Sequence, residues 1–297
     1  MKYLYFPGCS QKGTSRAYEE SLLAVLNRLG ISFEELEDWN CCGTTAIIAV
    51  SDILSLTLAA RNLALAEKAN CHLITPCPSC WLSLTKVNKI FAKEDTRTRK
   101  VREALSSGNL AYGGTTRVRH LLEFFINEVG VEKIEKAVTM PLTDLRVAPY
   151  YGCQIVRPYS DEDNIDEPQH LEALIGALRA KVAPFELKTA CCSGTMMATR
   201  ADTGREIASK ILRSVRQAEA NVIVTPCPLC QLNLELAQRG NSALTRKGIL
   251  PVLNITQLIG LAMGISHKEL GLSRSLHSGT SKQIANAQNQ RVEAIRS

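Results

Sequence analysis

Ten of the chain's eleven cysteines fall into two sets of one form: a lone cysteine, an adjacent pair, then a Cys-Pro-x-Cys turn. The first set is Cys9, Cys41, Cys42, Cys77 and Cys80; the second is Cys153, Cys191, Cys192, Cys227 and Cys230. Pair and turn are separated by 34 residues in both sets, and "TPCPSC" (75–80) returns as "TPCPLC" (225–230). A turn of this kind entering a helix favours thiolate, because the helix N-terminus carries partial positive charge and the turn aims two sulfurs at one point. Alone, it fits a thioredoxin-like dithiol or half of a zinc site. The adjacent pair narrows the choice. Zinc is saturated by four ligands and an ordinary cubane also takes four thiolates, so a fifth recurring cysteine asks for a larger or less regular centre. An all-sulfur donor set favours iron–sulfur clusters or zinc over magnesium, calcium or manganese.

Such remote ligands need a scaffold that brings them together. The halves repeat with an offset of 144 residues at the first cysteine and 150 at the other four, and "NCCGTTA" is echoed by "ACCSGTMMA". This is an internal duplication. In the first half "KYLYF", "SFEEL" and "HLITP" read as strands, and "SRAYEESLLAVLNRLG", "SDILSLTLAARNLALAEKA" and "PSCWLSLTKVNKIFAK" as helices, the second capped by Ser51 and the third entered through proline. The second half repeats the order, with strands at "LRVAPYY", "APFEL" and "NVIVTP". Alternating strand and helix predicts an α/β fold with a parallel sheet in each half. The reactive loops then gather at the carboxyl ends of the strands, so each cysteine set converges at one sheet edge. The expected domains are residues 1–143 and 144–271, followed by a polar tail, 272–297, expected to be poorly ordered without a partner. "VRHLLEFFINEVG" (118–130) and "VLNITQLIGLAMG" (252–264) read as helices of the core or an interface.

The remaining features carry less. At 45% apolar and 22% charged residues, with a net charge of +6, the chain has an ordinary globular profile. Its basic residues are scattered and not interleaved with aromatics, which argues against nucleic acid. The N-terminus lacks a signal peptide's apolar core and no stretch is long enough to span a bilayer, so a cytoplasmic protein is expected. Eleven cysteines, an odd number, fit a disulfide framework badly. Cys71 has no counterpart and reads as a packed small residue. The five histidines do not repeat, and the acidic run 161–168 misses the spacing of a calcium loop. Arg16 and Arg157 are candidates to meet an anionic substrate, although surface positions explain both.

The stretches "YFPGCS" (5–10), "EDWNCCGTT" (37–45), "TPCPSC" (75–80), "YYGCQIVRP" (150–158) and "TPCPLC" (225–230) resemble the cysteine-rich CCG domains, and the chain looks like a member of the family of heterodisulfide reductase B subunits. That resemblance implies two pseudo-symmetric Rossmann-like domains, each holding a noncubane [4Fe-4S] cluster on its five cysteines. It implies a disulfide, small-molecule or protein-bound, cleaved or formed between the clusters in two one-electron steps. The implied partners are a ferredoxin-like iron–sulfur subunit of the C type and a flavin-containing subunit of the A type. One departure concerns the second pair, which reads Cys191-Cys192-Ser193-Gly194, as though a serine were inserted before the glycine; a variant second cluster is the implication. Two other readings remain: a relay subunit linking a dehydrogenase to quinone, and a zinc-stabilised scaffold with no redox role.

Overall fold

The computed structural model describes residues 2–159, 163–239, 241–246, 248–277, 279, 283 and 284. Alternating strands and helices in each half build a four-stranded parallel sheet. The first sheet contains β1 (Tyr3–Tyr5), β2 (Glu34–Glu35), β3 (His72–Thr75) and β4 (Val118–His120), in the order β2-β1-β3-β4. The second contains β5 (Arg146–Pro149), β6 (Lys181–Val182), β7 (Val222–Thr225) and β8 (Val252–Asn254), in the order β6-β5-β7-β8. Register repeats with topology: Tyr5 pairs with Ile74 in one half and Pro149 with Val224 in the other. The expected α/β class with two similar units is the observed one.

The crossover helices follow their sequence signals. Helix Asp52–Lys68 is capped by Ser51, whose hydroxyl accepts from the Leu54 N–H at 3.2 Å. Helices Pro78–Phe91 and Pro228–Gln238 each start on proline, which has no N–H to lose at a first turn. Two expectations shift. The second-half edge strand lies at Lys181–Val182, ahead of "APFEL", because Pro184 cannot donate to the ladder. The segments beginning at Val118 and Val252 open as strands, and their helices start only at Leu121 and Ile255. Capping boxes mark both changes, His120 with Glu123 and Asn254 with Gln257.

One apolar core runs through both halves. It joins Tyr18, Leu22 and Leu26 of helix Arg16–Arg28 to Ile255, Leu258 and Ile259 of helix Ile255–Ala262. A buried hydroxyl pair, Ser21 with Thr256 at 2.6 Å, crosses the same seam. The polar tail starts packed: Leu272 and His277 are buried, Arg274 pairs with Glu20 at 2.7 Å, and the His277 Nε2 lies 3.0 Å from the Glu235 carbonyl. Positions 278, 280–282 and 285–297 of that tail lie outside the described residues.

Candidate metal centres

In each sheet the chain turns opposite ways after its two central strands, β1 and β3 or β5 and β7, leaving a crevice at their carboxyl ends. Cys9 and Cys77 follow one such pair of strands, and Cys153 and Cys227 the other. The adjacent cysteines arrive from the loops after β2 and β6. All ten cysteines singled out in the sequence therefore gather as two groups. In the first, sulfur contacts run from Cys9 to Cys41, Cys41 to Cys42, Cys42 to Cys80 and Cys80 to Cys77. In the second, Cys153 meets Cys191, the Cys192 and Cys230 sulfurs stand 3.4 Å apart, and Cys230 meets Cys227. Cys71 is buried apart from these strings, and its thiol bonds to the Ala69 carbonyl at 3.3 Å.

Glycines make the close packing of sulfur possible. Gly8 and Gly152 adopt left-handed φ values of 67° and 69°. A β-carbon on Gly8 would stand 2.7 Å from the Cys80 sulfur, and one on Gly152 2.8 Å from that of Cys230. The same device recurs in both halves because each sulfur must approach bare backbone.

Side chains that the sequence did not single out hold the loops. Asn62, fully buried, accepts from the Asn40 N–H at 2.9 Å and donates to the Asn40 carbonyl at 3.0 Å, fixing the approach to Cys41. The Ser83 hydroxyl donates to the Cys42 carbonyl at 2.6 Å; Asn233, at the matching place, donates to that of Cys192 at 3.1 Å. The carbonyls preceding Cys77 and Cys227 are braced differently. His120 accepts from the Leu122 N–H at Nδ1, so its Nε2 carries the proton and donates to Pro76 at 3.1 Å. In the second half, the donor to Pro226 is Tyr18, reaching across from the first. Across the seam, Ser79 also donates to the Gln154 side chain. Arg157 is held at the surface by the Thr189 carbonyl, 3.0 Å away, and Arg16 lies exposed. Asp163, from the acidic run, caps the following helix by accepting the N–H groups of Gln169 and His170.

Crowding sets the proton affinities. The neighbouring thiol Cys41 pushes Cys42 up to about 12, and burial followed by Cys191 does the same to Cys153. Cys80 and Cys230 are pushed well above the ordinary range by hydrogen bonds to flanking thiols and by burial. Cys77 falls to about 7 through the Cys80 thiol and then the N–H groups of Cys80 and Ser79 at the helix start. Cys192 falls to about 7 through the Cys230 thiol, helped by the Gly194 N–H and the Asn233 amide. Sulfurs this close cannot all ionise in the bare protein, whereas a cationic metal centre reverses that penalty.

Among the described residues, no three or more His, Cys, Asp or Glu side chains are arranged around a single metal ion. The sulfurs form strings instead, and the buried Ser193 hydroxyl beside Cys192 has no partner among the described residues. An all-thiol donor set, bare backbone against sulfur and a spare hydroxyl donor fit a sulfide-bridged iron cluster. A cavity of about 170 Å³ is lined by all five cysteines of the second set together with Thr45, Pro78 and Ser79 from the first half's loops.

Ser193 corrects the sequence reading. The offset of 150 is unbroken from Cys41 to Cys230, so Ser193 replaces Gly43 and nothing is inserted. Both adopt left-handed backbone, with φ values of 77° for Gly43 and 81° for Ser193.

The cysteine-rich CCG domain family matches residues 3–85 and again 147–235. The 8-methylmenaquinol:fumarate reductase membrane anchor subunit of Wolinella succinogenes is 35% identical, over 94% of this chain and 98% of that protein. The B subunit of the ferredoxin/F420H2-dependent CoB-CoM heterodisulfide reductase of Methanosarcina acetivorans is 31% identical, over 92% of this chain and 93% of its own length. A hypothetical protein from Helicobacter pylori shares the fold, with a TM-score of 0.71 and 15% identity over 92% of this chain; the match spans only 51% of that structure. Among the described residues, no helix is long and apolar enough to cross a membrane.

Proposed function

Because the chain belongs to the cysteine-rich CCG family and stands among relatives of the B subunits of heterodisulfide reductase, we propose that it is the disulfide-cleaving or disulfide-forming subunit of a reductase complex. As a CCG protein of the oxidoreductase class, it is an electron-transfer subunit whose cysteine sets imply iron–sulfur clusters. In the proposal, Cys9, Cys41, Cys42, Cys77 and Cys80 hold one noncubane [4Fe-4S] cluster, and Cys153, Cys191, Cys192, Cys227 and Cys230 hold another. The domains are 1–143 and 144–271, and the compartment is the cytoplasm, whose reducing conditions suit eleven free thiols. A ferredoxin-like subunit and a flavin-containing subunit deliver the electrons.

The observation that carries this reading is the cavity in which all five second-set cysteines meet Thr45, Pro78 and Ser79 from the first half. A disulfide held there would meet the second set's sulfurs directly and the first half through Thr45, Pro78 and Ser79, from the loops that carry Cys41, Cys42, Cys77 and Cys80. Cleaving it to two thiols takes two electrons and two protons, and two clusters held by the ten cysteines would supply those electrons one at a time. The protein's own part is placement. Tyr18 and His120 fix the two Cys-Pro-x-Cys turns through the preceding carbonyls, and Ser79 with Gln154 ties the turn of one half to the lone-cysteine loop of the other. Buried Cys42, Cys77, Cys80, Cys192, Cys227 and Cys230 keep water from the inner side of each group.

A second reading is a relay between a dehydrogenase and quinone, favoured by the likeness to a subunit named for menaquinol:fumarate reductase. Anaerobically purified protein should contain iron and acid-labile sulfide in equal amounts, about eight of each per chain. Zinc in their place would end the iron–sulfur reading. With a chemical electron donor, turnover of a disulfide supports the first function, and turnover of a quinone alone overturns it in favour of the second.

A further inference from the structure

The two centres are alike in their ten cysteines and differ in what surrounds one of them. Cys42 and Cys192 are matching members of the adjacent pairs. Around Cys42 the next residue is Gly43, with no side chain, and the Ser83 hydroxyl is committed to the Cys42 carbonyl at 2.6 Å. Around Cys192 the next residue is Ser193, and Ser83 is replaced by Asn233. The Asn233 amide donates one hydrogen to the Gly194 carbonyl at 2.8 Å and shares the other between the Cys192 carbonyl at 3.1 Å and the Cys192 sulfur, 3.5 Å away.

Ser193 is the more telling of the two. Its backbone lies at a φ of 81°, a region that costs any residue with a β-carbon, and its twin there is glycine. The residue is 5% exposed, and its hydroxyl has no hydrogen-bond partner among the described residues. A strained, buried, unengaged hydroxyl next to a proposed cluster ligand is unfavourable for folding on two counts. Removing the side chain would relieve both.

We infer that Ser193 and Asn233 are positioning residues that donate hydrogen bonds toward the sulfurs of the second centre and make it the more readily reduced of the two. The inference rests on the proposed pair of iron–sulfur clusters. Donors to cluster sulfur stabilise the added negative charge of the reduced state and raise its potential. The first set has a buried hydroxyl of its own beside Cys77, that of Ser10, which like Ser193 has no hydrogen-bond partner among the described residues. The second-set residue matching Ser10 is Gln154, which is engaged by Ser79. With Ser10 counted at Cys77, the first centre has one such donor and the second has two, both beside Cys192, whereas among the described residues no side-chain donor other than a cysteine thiol faces the Cys42 sulfur.

The test is an anaerobic redox titration of the full iron-loaded chain, followed by electron paramagnetic resonance, for the unaltered protein, Ser193→Gly, Ser193→Ala and Asn233→Ser. The expected result is one midpoint moving negative in all three variants while the other stays. Each substitution lowers the reduction equilibrium about tenfold, about 59 mV for one electron. Ser193→Gly unfolds at no lower temperature than the unaltered protein. Ser193→Ala keeps the backbone strain and loses only the hydroxyl, so a shift seen with glycine and absent with alanine overturns the inference, as do unmoved midpoints. A chain that binds no iron–sulfur cluster at all fails earlier and overturns the proposed function instead.

Discussion

The phenol of Tyr18 donates a 3.2 Å hydrogen bond to the carbonyl of Pro226, the residue immediately before Cys227. Tyr18 belongs to the first half, is fully buried, and lies near both Cys227 and Cys77. One side chain therefore touches the surroundings of both cysteine groups. Replacing it by phenylalanine keeps the packing and leaves the Pro226 carbonyl buried without its donor. The expected cost is about 1–3 kcal/mol in denaturant unfolding, together with a changed spectrum for one centre. Unchanged spectra at both centres would remove Tyr18 from the account of the site.

Gly8→Ala and Gly152→Ala form a matched pair of tests. Each sets a methyl group less than a van der Waals contact from a cysteine sulfur, on a left-handed backbone that costs a non-glycine residue about 1–2 kcal/mol. Each variant should lose the iron of its own half, leaving roughly half the metal per chain. Metal analysis checks the count, and full loading in both variants would show that the sulfurs can move aside.

His120 supplies a prediction in pH. Burial pulls its imidazole down from 6.5 to about 3, so the folded protein keeps it neutral while the unfolded chain takes up a proton below about 6.5. The unfolded state then binds more protons across that window. Stability is fully present above about 6.5 and is lost as pH falls towards 3, by at most about 1.4 kcal/mol per unit from this one group. Urea unfolding between pH 7 and 5 measures it. His120→Asn, which copies the cap at Asn254, should flatten the slope.

Loading the metal should release protons. Cys42, Cys80, Cys153 and Cys230 all have raised proton affinities in the bare protein and are thiols at neutral pH. Iron takes thiolate, so anaerobic reconstitution should improve as pH rises from 6 to 8. A yield independent of pH would mean that few of these sulfurs ionise on binding.

The cysteine sets, their convergence and the Ser51 cap were legible because they are local patterns or exact repeats. The fourth strand of each sheet was not: Val118–His120 (Val-Arg-His) and Val252–Asn254 (Val-Leu-Asn) are three-residue strands fused to apolar helices, and periodicity cannot divide so short a run. Tyr18, Asn62 and His120 act at carbonyls or amides far away in the chain, and their residue types alone announce nothing. Asn233 left a trace, since the duplication sets it against Ser83 at the same offset that carries the cysteines. The same offset shows Ser193 to be a replacement of Gly43.

The interior shared by helices Arg16–Arg28 and Ile255–Ala262 limits how the molecule can move. Lobes joined by a thin hinge open and shut around a guest, but lobes welded through a close-packed seam hold their spacing. Under the proposed function, a reactant enters or leaves past Thr45 and Thr195, the exposed threonines of the cavity lining, with the walls standing still.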